Sequence, residues 1–308
     1  MIDKLLHALS DWRVLSPVII VIASQVFIQL ERRFPYDRGQ RVFRKGWFND
    51  FFLYTLFQSY LLGLVIFGFI GWLDQHAAGR FRLVAGWPLW TQIVFFLLLH
   101  DFYIYWMHRA MHRFSLLWRL HEAHHSVENI DWLAGSRSHA LEIILNQTIE
   151  FAPIILLGAP PEMVQIKGTI DAVWGMYIHS NIDVRTGLLQ YVINGPEMHR
   201  WHHSVEFTGY GFNYGTKFAF WDWIFGTAYL PAKKPPGYGV SGEVFPEALP
   251  DPKEFPGTAA VGTSYLPRSV KGLASLVYTE VKNYLTQQLF AFRKLESEPE
   301  KDAVGNAS

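Results

Sequence analysis

The sequence predicts an all-α integral membrane protein: a bundle of three spanning helices and a re-entrant helical hairpin, with a histidine-rich cap on the cytoplasmic side. Three observations carry this prediction. Three long uncharged apolar runs occur within the first 107 of the 308 residues. Charged residues make up 18% of the chain, against about a quarter in a soluble domain. Most of the 13 histidines follow the last of the apolar runs.

The three apolar runs predict three membrane-spanning helices, near residues 13–31, 50–73 and 87–107. A hydrocarbon core of about 30 Å needs roughly 20 apolar residues at 1.5 Å rise per residue. No charged residue occurs from Val14 to Leu30 or from Phe51 to Leu73. Three such runs together are not typical of a soluble helical protein.

A weaker apolar pair, residues 140–157 and 162–180, predicts the re-entrant hairpin. Gly158, Ala159, Pro160 and Pro161 separate its arms. The arms contain Glu142, Glu150, Lys167 and Asp171, and charged residues are costly inside a bilayer unless they are paired. We therefore expect this hairpin to pack against the other helices and to return to the side from which it entered.

Charge predicts the orientation and the remaining domains. Residues 31–50 carry six Lys and Arg side chains, so the positive-inside rule places this loop, and everything after residue 107, in the cytoplasm. The Gly-, Pro- and aromatic-rich segment 205–262 is predicted to be a soluble cap built from loops, completing a domain over 1–262. Residues 263–294 have the periodicity of an amphipathic helix. Residues 295–308 are predicted to be a disordered tail.

Composition excludes several kinds of chemistry. The chain has no cysteine, so disulfides, zinc ribbons, thiolate iron–sulfur clusters and cysteine nucleophiles are excluded. The 27 basic and 27 acidic residues cancel, which argues against nucleic acid as a partner. Any bound metal must therefore be held by imidazole, with or without carboxylate.

Histidines occur in three clusters with helical spacing: HxxxH in WMHRAMHR, HxxHH in LHEAHHS and a second HxxHH in MHRWHHS. Side chains at positions i, i+3 and i+4 share one face of a helix, so each cluster can direct two or three imidazoles towards one point. A further histidine lies at the far end of the hairpin, in YIHSNI. The nine candidate metal ligands are His108, His112, His121, His124, His125, His179, His199, His202 and His203.

Nine ligands are too many for one metal ion and suit two, because a tetrahedral zinc site uses four ligands at most. Imidazole suits iron, zinc and copper, and a nitrogen-ligated pair with open positions suits O₂ activation. His7 and His76 lie outside the clusters and are expected to be bystanders.

Two other functions fit parts of the pattern. His121-Glu122-x-x-His125 also matches HExxH of zinc metalloproteases, in which the glutamate is the general base. The second cluster has Arg200 in the place of Glu122, so the three histidines are the shared feature. A membrane metal-binding or transport protein is the other alternative, although the histidines follow the spans and do not line them.

These motifs resemble the fatty acid hydroxylase/sterol desaturase superfamily of membrane non-haem di-iron oxygenases, and within it the alkylglycerol monooxygenases and their bacterial relatives. The resemblance covers roughly residues 95–230 and rests on HDFYIYWMHRAMH, LWRLHEAHHSVENID, YIHSNI, GPEMHRWHHS and NYGTKFAFWDWIFGT. Members often have a histidine where this chain has Gly175. A tenth ligand is then absent or is supplied by water, His139 or His100, and His139 is the better candidate.

The resemblance implies an O₂-dependent oxidoreductase that hydroxylates or desaturates an unactivated C–H bond of a lipid, such as a sterol, fatty acyl or alkyl chain. It implies two iron ions held by the nine histidines, with zinc as a substitute in purified protein. No dinucleotide-binding loop and no haem-attachment motif are present. Electrons would therefore come from a separate donor: a reductase, a ferredoxin or cytochrome b5 type of protein, or a pterin. The carboxylates near the motifs that could orient ligands are Asp101, Glu122, Glu128, Asp131, Glu142, Glu197 and Asp222.

Overall fold

The fold is helical. A computed structural model describes residues 11–206, 211–240, 245–247 and 270–293. These residues form no β-strand, only two isolated bridges, Pro35–Ile182 and Ser204–Tyr238. The helices are α1 Trp12–Arg33, α2 Asn49–Ala77, α3 Leu89–Arg113, α4 Ser115–His125, α5 Ala140–Leu156, α6 Glu162–His179, α7 Pro196–His202, α8 Phe220–Ile224 and α9 Val270–Phe290, with 3₁₀ turns at Ala134–Ser136 and Gly187–Tyr191.

Two helices, α1 and α2, are long and apolar enough to cross a membrane. Only 6% of the most apolar stretch of α1 and 28% of that of α2 is buried within the protein, so neither is the core helix of a soluble protein. The third predicted span coincides with α3, which has buried polar residues such as Gln92 and Asp101 along its length. This helix does not meet the same criterion, and its crossing of the membrane stays a prediction.

The predicted hairpin is present as α5 and α6. Its turn is held at the far end of the bundle, where backbone amides of the α2–α3 loop donate to carbonyls of the hairpin: Gly79 to Ile155, Phe81 to Leu156 and Val84 to Leu157. Gly158 in the turn adopts φ +87°, and an added Cβ would lie 3.3 Å from Arg82 and 3.4 Å from Gly79, so a side chain would crowd the loop. The arms therefore run the full length of the bundle.

Two packing interfaces hold the arms of the hairpin. An apolar core that includes Ile66, Phe96, Ile154 and Met163 joins α2, α3, α5 and the start of α6. The second arm, α6, packs mainly on α1 and contacts its own partner arm less. Burial of these side chains is favourable by roughly 1.5–3 kcal/mol each. This packing fixes where α3 and α6 present their histidines.

The first turns of α2 differ from the rest of that helix. Its first ten residues, Asn49–Gln58, are a π-helix, and α9 packs against them. Gln287 of α9 accepts hydrogen bonds from Asn49 and Tyr54, at 3.1 and 3.0 Å. The amphipathic helix predicted over 263–294 thus begins at Val270, and residues 263–269 and the predicted tail lie outside the described part of the chain.

Candidate metal centre

The nine predicted histidines converge at the end of the bundle in two adjoining groups. In each group the ligand atoms all lie within 4.8 Å of one another. Group A consists of His108, His112, His121, His125 and His202, and group B of His124, His179, His199 and His203. The rings of His125 and His203 stack at 4.5 Å between centroids, so the two groups are in direct contact.

Each HxxHH motif serves both groups, which differs from the expectation that one cluster points at one site. On α4, His121 and His125 belong to group A, whereas His124 belongs to group B. At α7, His202 belongs to group A, whereas His199 and His203 belong to group B. In each motif the side chains at i and i+4 point to the same group, and the side chain at i+3 points to the other. Two such helices therefore hold the groups together.

The facing ring nitrogens make both groups suitable for binding a cation. In group B, Nδ1 of His124 lies 3.2 Å from the Arg137 carbonyl and Nδ1 of His179 lies 2.8 Å from the Gly175 carbonyl. Because a carbonyl only accepts, both Nδ1 atoms carry the proton, and both Nε2 atoms present lone pairs. These two Nε2 atoms are 3.2 Å apart. Two lone pairs at this distance repel each other unless a cation lies between them.

Group A has the same arrangement. His108 donates from Nδ1 to the Tyr214 carbonyl at 2.9 Å, and its Nε2 faces Nε2 of His121 at 3.0 Å. When two imidazole nitrogens bind the same ion at about 2.1 Å, with an N–metal–N angle of about 90–110°, the nitrogens lie roughly 3.0–3.4 Å apart. The donor set therefore fits a metal ion in each group.

Burial keeps these rings neutral, the form that binds metal. Desolvation and the neighbouring imidazoles hold the pKa values of His124, His199 and His203 well below 6.5. Desolvation lowers the pKa of His179 to about 4. In group A the same causes lower the pKa values of His112 and His125.

Four of the nine outer nitrogens are held by backbone carbonyls, which the motifs alone could not have indicated. His202 donates to the Phe212 carbonyl at 2.8 Å. Among the carboxylates near the motifs, Glu142 accepts from Nδ1 of His121 at 2.9 Å. Asp222 accepts from the amides of Tyr214 and Gly215 and so holds the loop whose carbonyl reaches His108.

Glu122 would be the general base of a zinc protease, but its carboxylate is directed to Arg293 and not to group A. Both of its oxygens accept from the guanidinium of Arg293, which follows α9, at 2.5 and 3.0 Å. Its side chain is buried. This residue therefore anchors α9 to α4.

The remaining histidines lie elsewhere. His139 was the better candidate for a tenth ligand, but it joins neither group: it caps α5 by accepting from the Leu141 amide, and its Nε2 lies 2.8 Å from the Gln288 carbonyl. His76 is exposed, as expected of a bystander, and His7 lies outside the described residues. At Gly175 an added Cβ would meet nothing within 4 Å.

One contributor without a side chain was missed by the sequence analysis. Gly135 lies directly against the ring of His179, and an added Cβ would be 2.6 Å from its Nδ1. Any larger residue here would displace the ring. The glycine gives no signal in a single sequence, because its 3₁₀ turn precedes the hairpin at no recognisable spacing from the motifs.

The fold is a helical bundle with outward apolar faces, and it contains two imidazole groups that could hold metal ions. These features are typical of histidine-rich, membrane-associated metalloproteins. The family model for fatty acid hydroxylase matches residues 93–227, which include all nine histidines. This segment is thus similar to the fatty acid hydroxylase family, in agreement with the resemblance that its motifs predicted.

Curated relatives agree with the family. An ornithine lipid hydroxylase of Rhizobium tropici is 34% identical over 51% of this chain and 48% of its own length. Human alkylglycerol monooxygenase is 31% identical over 41% of this chain and 28% of its own length. A very-long-chain aldehyde decarbonylase of Oryza sativa is 30% identical over 46% of this chain and 54% of its own length. The chain thus spans about half the length of these relatives or less. No solved structure matches it.

Proposed function

We propose that this protein is an O₂-dependent oxidoreductase that hydroxylates an unactivated C–H bond of a membrane lipid, with desaturation as the variant outcome. The observation that carries the proposal is the pair of adjoining histidine groups, whose neutral Nε2 lone pairs converge. The relatives support it, since the names of two of them specify a lipid hydroxylase and an alkylglycerol monooxygenase.

The nine histidines would hold two iron ions, five ligands in group A and four in group B. When bound, such a pair supplies the redox chemistry that inserts one oxygen atom of O₂ into a C–H bond. The protein provides neutral ligands, fixes their tautomers through the outer carbonyls and Glu142, and excludes bulk water by burial. Zinc would occupy the same ligands in protein purified without iron.

A cavity of about 210 Å³ reaches the histidines from the side of the hairpin. Ile104, Met111, Trp174 and Ile178 give it an apolar wall between α3 and α6. A lipid chain in this cavity would lie against His108 of group A and His179 of group B. The substrate is therefore proposed to enter from the bilayer, and the electrons to come from a separate donor on the cytoplasmic side.

The alternatives are less well supported. A zinc protease needs a free glutamate beside its metal, whereas Glu122 is bonded to Arg293. A protease would also leave group B without a role. A metal transporter needs ligands along a path through the bundle, whereas the nine histidines lie together at one end.

The test is purification of the full chain, metal analysis and incubation in liposomes of host lipid with ¹⁸O₂ and a reductant. We expect about two metal ions per chain and a lipid product that carries one ¹⁸O. His124→Ala should lose metal and product, whereas His76→Ala should keep both. One tightly held zinc with O₂-independent hydrolysis, abolished by Glu122→Gln, would contradict the proposal.

A further inference from the structure

The far end of the same cavity is lined by ionisable residues that the proposed chemistry does not use. His100, Asp171 and Lys217 line this end, together with the hydroxyl-bearing Thr216, opposite the histidines of groups A and B. His100 precedes His108 by eight residues on α3, which is about 12 Å along the helix axis. Charged side chains at such a depth are costly and are expected where they serve a ligand.

This cluster is not a third metal site. The ligand atoms of His100, Glu150 and Asp171 lie within 4.8 Å of one another, as a metal site would require. The ammonium of Lys167, however, lies among them, bonded to Glu150, to Asp171 at 2.6 Å and to Nδ1 of His100 at 2.9 Å. A cation already occupies the centre, so all three N–H donors of Lys167 have acceptors.

Lys217 is different, because its donors are not all used within the cluster. Its Nζ lies 2.7 Å from Oδ1 of Asp171 and 3.4 Å from Nδ1 of His100. A neutral imidazole offers one lone pair, and that of His100 already accepts from Lys167. Among the described residues, Asp171 is thus the one strong acceptor for a lysine with three donors, which lines the cavity with 7% of its side chain exposed.

The backbone around Lys217 is held in place. Asp101 of α3 accepts hydrogen bonds from the Thr216 hydroxyl and from the amides of Lys217 and Phe218, at 2.6, 2.8 and 3.0 Å. A side chain on such a fixed segment is preorganised for binding, because little conformational entropy remains to be lost.

We propose that Lys217, supported by Asp171 and His100, is a subsite that binds an oxygen-bearing polar group of the lipid substrate: a hydroxyl, a carbonyl or a carboxylate. This inference rests on the proposed function and specifies its substrate. The polar group anchors at the hairpin end of the cavity, and the apolar wall carries the chain towards the histidines. The carbon presented to groups A and B is then several bonds away from the oxygen, and a plain hydrocarbon is a poor substrate.

The test is equilibrium binding to the purified, zinc-loaded full chain, which binds without turnover. The probes are radiolabelled hexadecanoic acid, 1-O-hexadecylglycerol and hexadecane, which share one chain length and differ in the oxygen group. We expect wild type to bind one or both oxygenated probes at least about tenfold more tightly than hexadecane. A preference for the acid alone identifies a carboxylate, and a preference for both identifies a neutral oxygen.

Lys217→Met should remove this preference. The affinity for the oxygenated probes should fall on the order of tenfold to a hundredfold, and the affinity for hexadecane should not change. Lys217→Arg should keep most of it, and Lys234→Met, an exposed lysine over Tyr36, should keep all of it. Unchanged binding in Lys217→Met overturns the subsite. Equal binding of the three probes by wild type overturns it even if Lys217→Met does not fold.

The two proposals fail separately. An ¹⁸O-labelled product without any Lys217-dependent preference contradicts the subsite and leaves the hydroxylase proposal intact. A Lys217-dependent preference without an O₂-dependent product contradicts the hydroxylase and leaves the subsite.

Discussion

At the scale of single residues, the centre depends on atoms that carry no reactive side chain. The carbonyls of Tyr214, Phe212 and Gly175 determine which nitrogen of their histidine holds the proton. A histidine whose Nδ1–H is held in this way presents Nε2 to the metal in one orientation. The ligands are thus oriented as much by loop conformation as by the motifs.

Gly135→Ala should test this dependence. Because the new Cβ would lie 2.6 Å from Nδ1 of His179, the ring must move and group B should lose its metal. We expect metal content to fall from about two ions per chain to about one, measured by mass spectrometry of the purified protein. Gly175→Ala is the matched control, since nothing lies within 4 Å of its Cβ. Full metal content in Gly135→Ala would show that the ring adjusts.

The residues of the site could be predicted from the sequence because imidazoles at i, i+3 and i+4 are visible in it. Their division between groups A and B could not, since it depends on how α4 and α7 face each other. His139 was misjudged for a similar reason: its place before α5 suits a helix cap as well as a ligand, and only the contact with Gln288 distinguishes the two.

At the scale of elements, α9 is a brace for the centre. Arg293, just beyond its end, binds the carboxylate of Glu122, which lies between His121 and His124 on α4. Gln287 and Tyr284 join the same helix to the π-helical start of α2. The periodicity of its sequence predicted that α9 is a helix. The contacts made by its amide and guanidinium groups could not be predicted, because they join residues more than 170 positions apart and no local sequence pattern indicates them.

Removal of the Arg293 guanidinium should destabilise the protein by about 2–4 kcal/mol, because Glu122 is buried and would lose its charged partner. Arg293→Ala combined with Glu122→Gln should be less destabilised than Arg293→Ala alone. Thermal unfolding of the four proteins in detergent gives the coupling. A double variant that is less stable than both single variants would contradict a stabilising role for the Arg293–Glu122 pair.

At the scale of the whole molecule, the packed imidazoles link stability to pH. In metal-free protein their pKa values lie below the 6.5 of the unfolded chain, so between these values the unfolded state binds more protons. Stability is therefore greatest above pH 6.5 and falls as pH decreases. With a pKa of about 4, His179 alone accounts for a loss of about 2 kcal/mol at pH 5.

We expect the melting temperature of metal-free protein to fall between pH 7 and pH 5, reversibly, in scanning calorimetry. The variant His179→Gln should show a smaller fall, since it lacks one of the linked protons. His76→Ala removes an exposed ring and should show the same fall as wild type. A melting temperature independent of pH over this range would mean that the rings are not neutral when buried.

The membrane topology can be tested because the chain has no cysteine, so each introduced cysteine is the sole reactive thiol. Leu64 is 59% exposed on the apolar face of α2, and Leu64→Cys should resist a water-soluble maleimide. Arg80→Cys, in the α2–α3 loop, should be labelled from outside intact cells. Arg41→Cys and Lys233→Cys should be labelled only after permeabilisation.

Lys233→Cys tests on which side of the membrane the cap lies. Its neighbour Lys234 donates to the Tyr36 carbonyl at 2.7 Å, which places the cap at the same end of the bundle as the loop that holds Arg41. Because α2 leaves the cytoplasm from this end, we expect α3 to return to it, and labelling of Lys233→Cys from outside would contradict this topology. Buried polar residues on α3, such as Asp101 and His108, face the protein and not lipid, so they do not prevent a crossing. We therefore expect the cytoplasmic result, with groups A and B on the side where cellular electron donors are found.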